Sequence, residues 1–412
     1  MWWLGFGYRV SQADDASQPL QSYNDLMLRS TRLCFVPLAS MLVAGTSVWR
    51  ATSASQPLEL TPEWTVNLKD LGSKSPHRGY FGVPYDPGSV SNVACGKALV
   101  AVTINDSVVF FNLDTGSVAG TKNLSSSPAP TPYAGGFARI FSVGDGRFLV
   151  DLNELAYGKE ARRKLVLLDG TGIVIHSLDF SSTTGFPPRV GFTVSTTGDS
   201  FLLSRSDSGE KQFQLRDSDT FAVRQSWSAE NGSPNWQSLN DNILLSIQNY
   251  PQPLGPGNRA GKEEPIEIAS PGTEPHRLSD VLSGGSGVLA DDRILVIHVN
   301  ELSADLVDDS GRVLRTYNVP FSAPHLYLRL ASLARDGRYF AAHFLGQKNF
   351  FLPGREYLYL WSVDQSQPIA SIKFKWDRYY ESESAFCSGD GKLAVVENGK
   401  VEMFALPLPG HQ

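Results

Sequence analysis

Short runs of hydrophobic residues, separated by turn residues, recur along most of the chain. The clearest example is 141–150, where apolar residues on both sides of Asp145-Gly146 predict two strands joined by a tight turn. Asp-Gly favours this turn because glycine accepts the positive φ that a two-residue hairpin needs. No long segment has the apolar spacing of an amphipathic helix. The pattern therefore predicts an all-β protein.

This strand–turn–strand unit occurs in seven copies, each followed by an apolar pair and a second hairpin. The residues directly after the seven turns are Lys97, Arg147, Ser200, Asn242, Arg293, Arg338 and Lys392. Six of the copies predict four antiparallel strands, and a period of roughly 40–50 residues built from short strands is typical of propeller blades. We therefore predict a seven-bladed β-propeller of four-stranded antiparallel blades.

The seventh copy lacks a fourth strand, because the chain ends soon after its third strand at 401–404. The stretch 58–68, which precedes the first copy, has the composition of one unattached strand. We expect it to complete the last blade and close the ring, since closure removes an unpaired sheet edge. The alternative is an ordinary leader strand.

The N-terminal region has the layout of a secretory signal. Arg29 and Arg32 precede a largely apolar run at 33–48, and small residues surround Ala54. This layout predicts a start at Met27, cleavage after Ala54 and a secreted or periplasmic location. A membrane anchor is the alternative, although the run is shorter than the ~20 residues that span a bilayer. We expect 1–54 to be an upstream segment with signal peptide or anchor, and 55–412 to be one propeller domain.

Composition narrows the classes of partner. The chain is 41 % hydrophobic and 19 % charged, which is ordinary for a globular protein. Its formal net charge is −6, and a nucleic-acid-binding protein would need a basic face. We expect a monomer that binds no nucleic acid and has no membrane span in its mature form.

The chain has three cysteines. Cys34 lies in the predicted leader, whereas Cys95 and Cys387 lie just before the first turn of the first and last copies, which are neighbours in a closed ring. A disulfide between them would join the ends of the ring, and export would permit it. Two buried free thiols are the alternative.

With these features, residues 58–408 resemble the WD-repeat-like seven-bladed β-propellers. In the sixth copy, 333–342 resembles the Ser-Pro-Asp-Gly-Lys turn of that family and 357–364 resembles its Leu-Trp-Asp strand. No copy has the family's Gly-His pair or Trp-Asp dipeptide, so its His–Asp network is not expected. The resemblance is to a degenerate, exported, bacterial-type propeller, a fold that hosts scaffolds, ligand binders and enzymes.

Motifs that would identify a metal site, a phosphate loop or a serine nucleophile are absent from the sequence. His298 and His343 lie within predicted strands and are interpreted as ordinary strand positions. His77 and His325 lie in predicted inter-blade loops and could bind a metal only by meeting across the ring. We predict no cofactor and no metal site.

Aromatic and arginine residues concentrate in the predicted inter-blade loops, which share one face of a propeller with the loops between second and third strands. Such residues around a concave mouth are typical of recognition sites. The candidate ligand-binding residues are Tyr80, Tyr85, Tyr133, Arg189, Trp236, His325, Arg378, Tyr379 and Tyr380. The alternative is that these rings pack between blades, as aromatic side chains do where twisted sheets meet.

Two functional hypotheses follow. The first is a non-catalytic propeller that binds a protein or peptide ligand at its loop-rich face. The second is an exported hydrolase or lyase acting on carbohydrate or peptide, in which Asp377, Glu381 and Glu383 would supply paired carboxylates. Crowded acids are also typical of a solvated surface, so no catalytic residue is assigned.

Overall fold

The computed structural model describes most of the chain between residues 57 and 407, within one compact unit that spans 54–412. The described ranges are 57–72, 92–104, 107–124, 137–144, 146–154, 161–182, 190–207, 210–230, 234, 236–247, 265–279, 283–298, 302–319, 326–346, 355–374, 383–389, 391–397 and 399–407. The predicted start and cleavage sites lie outside these ranges. No helix in them is long and apolar enough to cross a bilayer.

The described residues form 29 strands in seven sheets and one 3-10 helix, Leu68–Leu71. Blade 1 contains Val93–Cys95, Leu99–Ile104, Ser107–Asn112 and Val118–Asn123, and blade 2 contains Phe137–Val143, Arg147–Glu154, Ala161–Leu168 and Val174–Ser182. Blade 3 contains Val190–Val194, Ser200–Asp207, Glu210–Asp217 and Val223–Glu230. Blade 4 contains Trp236–Leu239, Leu244–Ile247, Ile266–Ala269 and His276–Ser279.

Blade 5 contains Ser283–Val288, Ile294–His298, Ser303–Val307 and Val313–Asn318. Blade 6 contains Leu326–Leu333, Tyr339–Gly346, Arg355–Ser362 and Ala370–Phe374. Blade 7 contains Glu383–Phe386, Lys392–Glu397 and Lys400–Ala405. Within each blade, consecutive strands pair antiparallel. The predicted seven-bladed β-propeller of four-stranded antiparallel blades is confirmed.

Seven apolar clusters hold the blades together, one at each contact between neighbouring blades. We call each such contact a seam. Because successive side chains of a strand point to opposite faces of the sheet, one strand supplies two seams. In blade 1, Val109 and Phe111 pack towards blade 7, whereas Val108 and Phe110 pack towards blade 2. Burial on both faces explains why such strands are continuously apolar in sequence.

The N-terminal strand closes the ring as predicted. Trp64–Asn67 pairs antiparallel with the third strand of blade 7, with Trp64 opposite Met403. The indole Nε1 of Trp64 also donates to Leu113 O of blade 1 at 2.9 Å, so the closing strand contacts both blades of this seam. Gly116 permits this close approach, because a Cβ at that position would lie 2.7 Å from the indole ring.

The prediction of one continuous closing strand over 58–68 is wrong at its beginning. Leu58–Glu59 pairs parallel with the outer strand of blade 6, and only then does the chain cross to blade 7. Pro62 has no backbone N–H to donate to a ladder. The ladder to blade 7 therefore begins with the Glu63 N–H, which donates to Met403 O at 2.7 Å.

Of the two alternatives for the cysteines, the structure contains the disulfide. Cys95 ends the first strand of blade 1, and Cys387 directly follows the first strand of blade 7. Their Cα atoms lie 4.5 Å apart and both residues are buried. The covalent bond therefore lies in the same seam as the closing strand.

The short turns between strands are held by aspartate side chains that accept backbone N–H groups. The Asp217 carboxylate accepts from the N–H groups of Asp219 and Thr220 and from Arg224 Nη2. These bonds, the one from Arg224 being the strongest cause, lower the pKa of Asp217 to about 2. An aspartate that accepts backbone N–H groups two and three residues further along the chain is typical of such turns.

Replacing both cysteines by serine (Cys95→Ser with Cys387→Ser) is expected to lower the free energy of unfolding by about 2–4 kcal/mol, because the bridge restricts the unfolded chain. Urea unfolding followed by circular dichroism measures the difference. Wild-type protein unfolded in dithiothreitol is the control and should match the variant. Equal midpoints for the oxidised wild type and the variant would contradict the expectation.

Candidate functional site

Antiparallel pairing sorts the connections of every blade onto two faces of the ring. The connections between blades and those between second and third strands leave from one end of the sheets, which we call the loop face. The turns between first and second strands and between third and fourth strands leave from the opposite end, which we call the turn face. The connections 155–160, 248–265 and 347–354 all join second to third strands, so they start and end on the loop face.

Eight of the nine candidate ligand-binding residues lie outside the described residues. They are Tyr80, Tyr85, Tyr133, Arg189, His325, Arg378, Tyr379 and Tyr380. Asp377 and Glu381 also lie outside, whereas Glu383 begins the first strand of blade 7. The described strand ends at Val190, Leu326 and Phe374 border three of these segments.

Trp236 is described, and its predicted position in a loop is wrong. It is the first residue of the first strand of blade 4, and its side chain packs with Phe213 and Leu215 of blade 3. Trp236 is only 7 % exposed, so its ring fills the seam between blades 3 and 4. A large ring is suited to this place because two twisted sheets leave a wide gap between them.

A set of buried charged side chains and histidines, which sequence reasoning did not single out as a group, lies beneath the loop face. Within the described ranges, the buried Asp, Glu, Arg, Lys and His residues are Asp151, Arg163, Lys211, His298, His343 and Glu356. All six lie on second or third strands, in the half of the strand nearer the loop face. Because an unpaired buried charge is strongly unfavourable, each should have a partner.

In blade 2, Asp151 binds two arginines. Arg163 donates to it through Nε at 2.7 Å and through Nη2 at 2.6 Å, and Arg139 donates through Nη2 at 2.8 Å. The third guanidinium nitrogen of Arg163, Nη1, donates across the seam to Val190 O of blade 3. The ionic group therefore joins three strands of one blade to the first residue of the next blade.

In blade 3, Lys211 has an equivalent contact. Its ammonium Nζ donates to Pro234 O at 3.1 Å and lies 5.3 Å from the centre of the Phe213 ring. Burial lowers the pKa of Lys211, because the charged form loses solvation. Pro234 lies two residues before Trp236, in the connection from blade 3 to blade 4.

Both histidines that the sequence places in strands are paired with carboxylates. His298 Nε2 lies 2.9 Å from Asp305 Oδ2, and His343 Nδ1 lies 3.2 Å from Glu356 Oε1. The His343 ring also stacks on Phe374, the last described residue before 375–382. His298, His343 and Glu356 are buried, whereas Asp305 is partly exposed. The pairs lie at the seams between blades 4 and 5 and between blades 6 and 7, which suits them to holding strands together.

At the turn face, one arginine bridges the centre of the ring. Arg335 of blade 6 donates through Nη2 to Ser142 O at 2.6 Å and through Nη1 to Gly144 O at 2.9 Å, both in blade 2. Blades 6 and 2 are not neighbours, so this side chain crosses the middle. Gly198 of blade 3 lies beside it, where any Cβ would overlap the guanidinium.

Arg335→Ala is expected to lower the free energy of unfolding by about 2–3 kcal/mol, since two hydrogen bonds from a charged donor to partly buried carbonyls contribute more than bonds from a neutral donor. Thermal and urea unfolding measure the change. Arg338→Ala is the matched control, because its exposed ion pair with Asp336 should contribute about 0–1 kcal/mol. An equal loss in both variants would argue against the central bridge.

No protein-family model matches the chain, and no curated protein matches its sequence. Among solved structures, it is similar to the C-terminal WD40 domain of Sif2 (TM-score 0.49, 10 % identity, covering 85 % of this chain and 99 % of that one). It is also similar to Hsv2 of Kluyveromyces lactis (0.45, 10 %, 74 % and 90 %) and to a chain of the Mitotic Checkpoint Complex (0.49, 12 %, 92 % and 99 %). Likeness this distant carries no argument about function. The six four-stranded sheets, the one five-stranded sheet and the seven filled seams define the fold of the chain as a seven-bladed β-propeller.

Proposed function

We propose that the protein is an exported, non-catalytic β-propeller that binds a protein or extended peptide at its loop face. The observation that carries this proposal is the sorting of connections. Every connection from the fourth strand of one blade to the first strand of the next starts and ends on one face of a closed ring, and the sequence of these connections is rich in aromatic residues and arginine. Such side chains supply a large share of the binding energy at protein interfaces.

The rigidity of the ring supports the same proposal. All seven seams are filled with apolar side chains, and the turn face is made of short turns with hydrogen-bonded aspartates. Connections mounted on a rigid frame lose less conformational freedom when they bind. The loop face is therefore better suited than the turn face to binding a ligand.

Export is supported by the disulfide between Cys95 and Cys387, because such bonds persist in oxidising compartments. It agrees with the signal-like layout of 27–54 in the sequence.

Expression of the full chain in a Gram-negative host, followed by N-terminal sequencing of the protein from periplasm and medium, tests export. We expect a chain that begins at Ser55, because cleavage should follow Ala54. Ala54→Pro, which should block cleavage without touching the described strands, is the control. Recovery of the whole chain in the cytoplasm, or uncleaved in the membrane fraction, would contradict cleaved export.

Selection of a random peptide display library on the purified full-chain product tests binding. We expect selected peptides to bind the wild type and to lose about 30-fold or more in affinity for a loop-face variant, Tyr133→Ala with Arg189→Ala and Tyr379→Ala, as for loss of at least one hot-spot residue. The matched turn-face variant, Thr115→Ala with Thr220→Ala and Arg338→Ala, should bind like the wild type.

Two results would count against the proposal. One is a folded protein, verified by circular dichroism, from which no peptide is selected or whose peptides bind both variants equally. The other is hydrolysis or elimination in a screen of glycans and peptides that is lost in the Asp377→Asn, Glu381→Gln, Glu383→Gln triple variant, which would favour the enzyme hypothesis instead.

A further inference from the structure

Arg163 and Lys211 occupy the same place in consecutive blades. Each lies on a third strand, six residues before the aspartate that accepts the N–H groups of the following turn, Asp169 or Asp217. Each is buried, although arginine and lysine are rarely buried in proteins. Because position, charge and burial agree in two consecutive blades, we interpret the two residues as one structural feature that recurs from blade to blade.

Both cations reach the same kind of acceptor. Arg163 Nη1 donates to Val190 O, which directly follows the connection 183–189 from blade 2 to blade 3. Lys211 Nζ donates to Pro234 O, within the connection 231–235 from blade 3 to blade 4. In both cases a side chain from one blade binds the backbone at the point where the chain arrives at the next blade.

The groups that surround the two cations differ, and each set suits the shape of its cation. The planar guanidinium of Arg163 binds both oxygens of Asp151, which leaves Nη1 directed at Val190 O. Lys211 has a compact ammonium, which packs over the Phe213 ring and donates to Pro234 O. Either arrangement leaves the main-chain carbonyl with a charged donor in a site with little water.

A charged donor in such a site restrains its acceptor strongly, because breaking the bond would leave the charge with poorer solvation. The restrained carbonyls border segments that contain Arg189 and the backbone leading to Trp236. Holding the end of a connection reduces the number of conformations that the connection can adopt, and this is how a supporting shell preorganises a binding surface.

We propose that Arg163 and Lys211 are positioning residues that hold the arriving ends of the connections 183–189 and 231–235. We further infer that these two seams carry the preorganised part of the ligand-binding face. The first statement stands without any ligand, whereas the second rests on the proposed function. Neither residue contacts the ligand; each acts through the backbone that it binds.

Hydrogen exchange of the full-chain product, read by mass spectrometry far below its unfolding temperature, tests the first statement. In Arg163→Met, amides of Val190–Val194 should exchange about 10-fold faster, and those of Trp236–Leu239 should be unchanged. In Lys211→Met the reverse is expected: amides of Trp236–Leu239 should exchange about 10-fold faster, and those of Val190–Val194 should be unchanged. A merely structural loss would instead raise exchange throughout the ring.

Conservative variants separate positioning from packing. Arg163→Lys should restore most of the protection, because a lysine performs the equivalent task in blade 3, and Lys211→Arg should do so in return. Lys164→Met is the matched control, since Lys164 is adjacent to Arg163 but forms only a 3.6 Å exposed pair with Asp179. Unchanged exchange in both methionine variants, or equal acceleration in all seven blades, would overturn the positioning role.

Binding of a selected peptide tests the second statement. Arg163→Met should weaken it about 10-fold or more, Arg163→Lys should recover it to within about 3-fold, and Lys164→Met should have no effect. Faster local exchange with unaltered peptide affinity would overturn the second statement alone. If no peptide is selected at all, the proposed function and with it the second statement fail, and the exchange experiment still decides the first.

Discussion

The fold depends on apolar packing at the seams, and above all on the one seam that joins the two ends of the chain. Six seams lie between blades that follow each other in sequence, so their partners are brought together by short connections. The seam between blades 7 and 1 has to unite residues almost three hundred positions apart, and there Trp64, Cys95, Cys387 and Met403 meet. Each buried large apolar side chain contributes roughly 1.5–3 kcal/mol, more than the partly exposed Lys392–Glu63 pair at about 0–1 kcal/mol.

The middle of the seams is filled by apolar side chains such as Phe110, Leu203 and Ile268, whereas the buried charged side chains and histidines lie towards the loop face. Replacing a buried ion pair by apolar residues is often neutral for stability, so stability alone is weak grounds for its presence. Fixing particular carbonyls and strands beneath the loop face is a better physical account, and Arg163 illustrates it by contacting two blades at once.

The two faces of the ring differ in the kind of connection that they carry: short turns within a blade on the turn face, and connections between blades on the loop face. Turn-face residues such as Asp308 satisfy backbone N–H groups locally, which keeps the turns short. Arg335 adds a bridge across the centre on that side. The loop face instead carries the connections from the fourth strand of each blade to the first strand of the next, where insertions cost little stability because loop-closure entropy grows slowly with length.

The sequence by itself determined the strands, the number of blades and the closing strand at 64–67. Those features follow from local physics: Asp-Gly turns need a positive φ, continuous apolar runs need two buried faces, and an unpaired edge needs a partner. Only the tertiary structure decided that Leu58–Glu59 joins blade 6, that Trp236 fills a seam, and that Asp151, Arg163 and Lys211 are buried. These outcomes depend on which side chains meet across two sheets, and no spacing along one strand specifies its neighbour in the next blade.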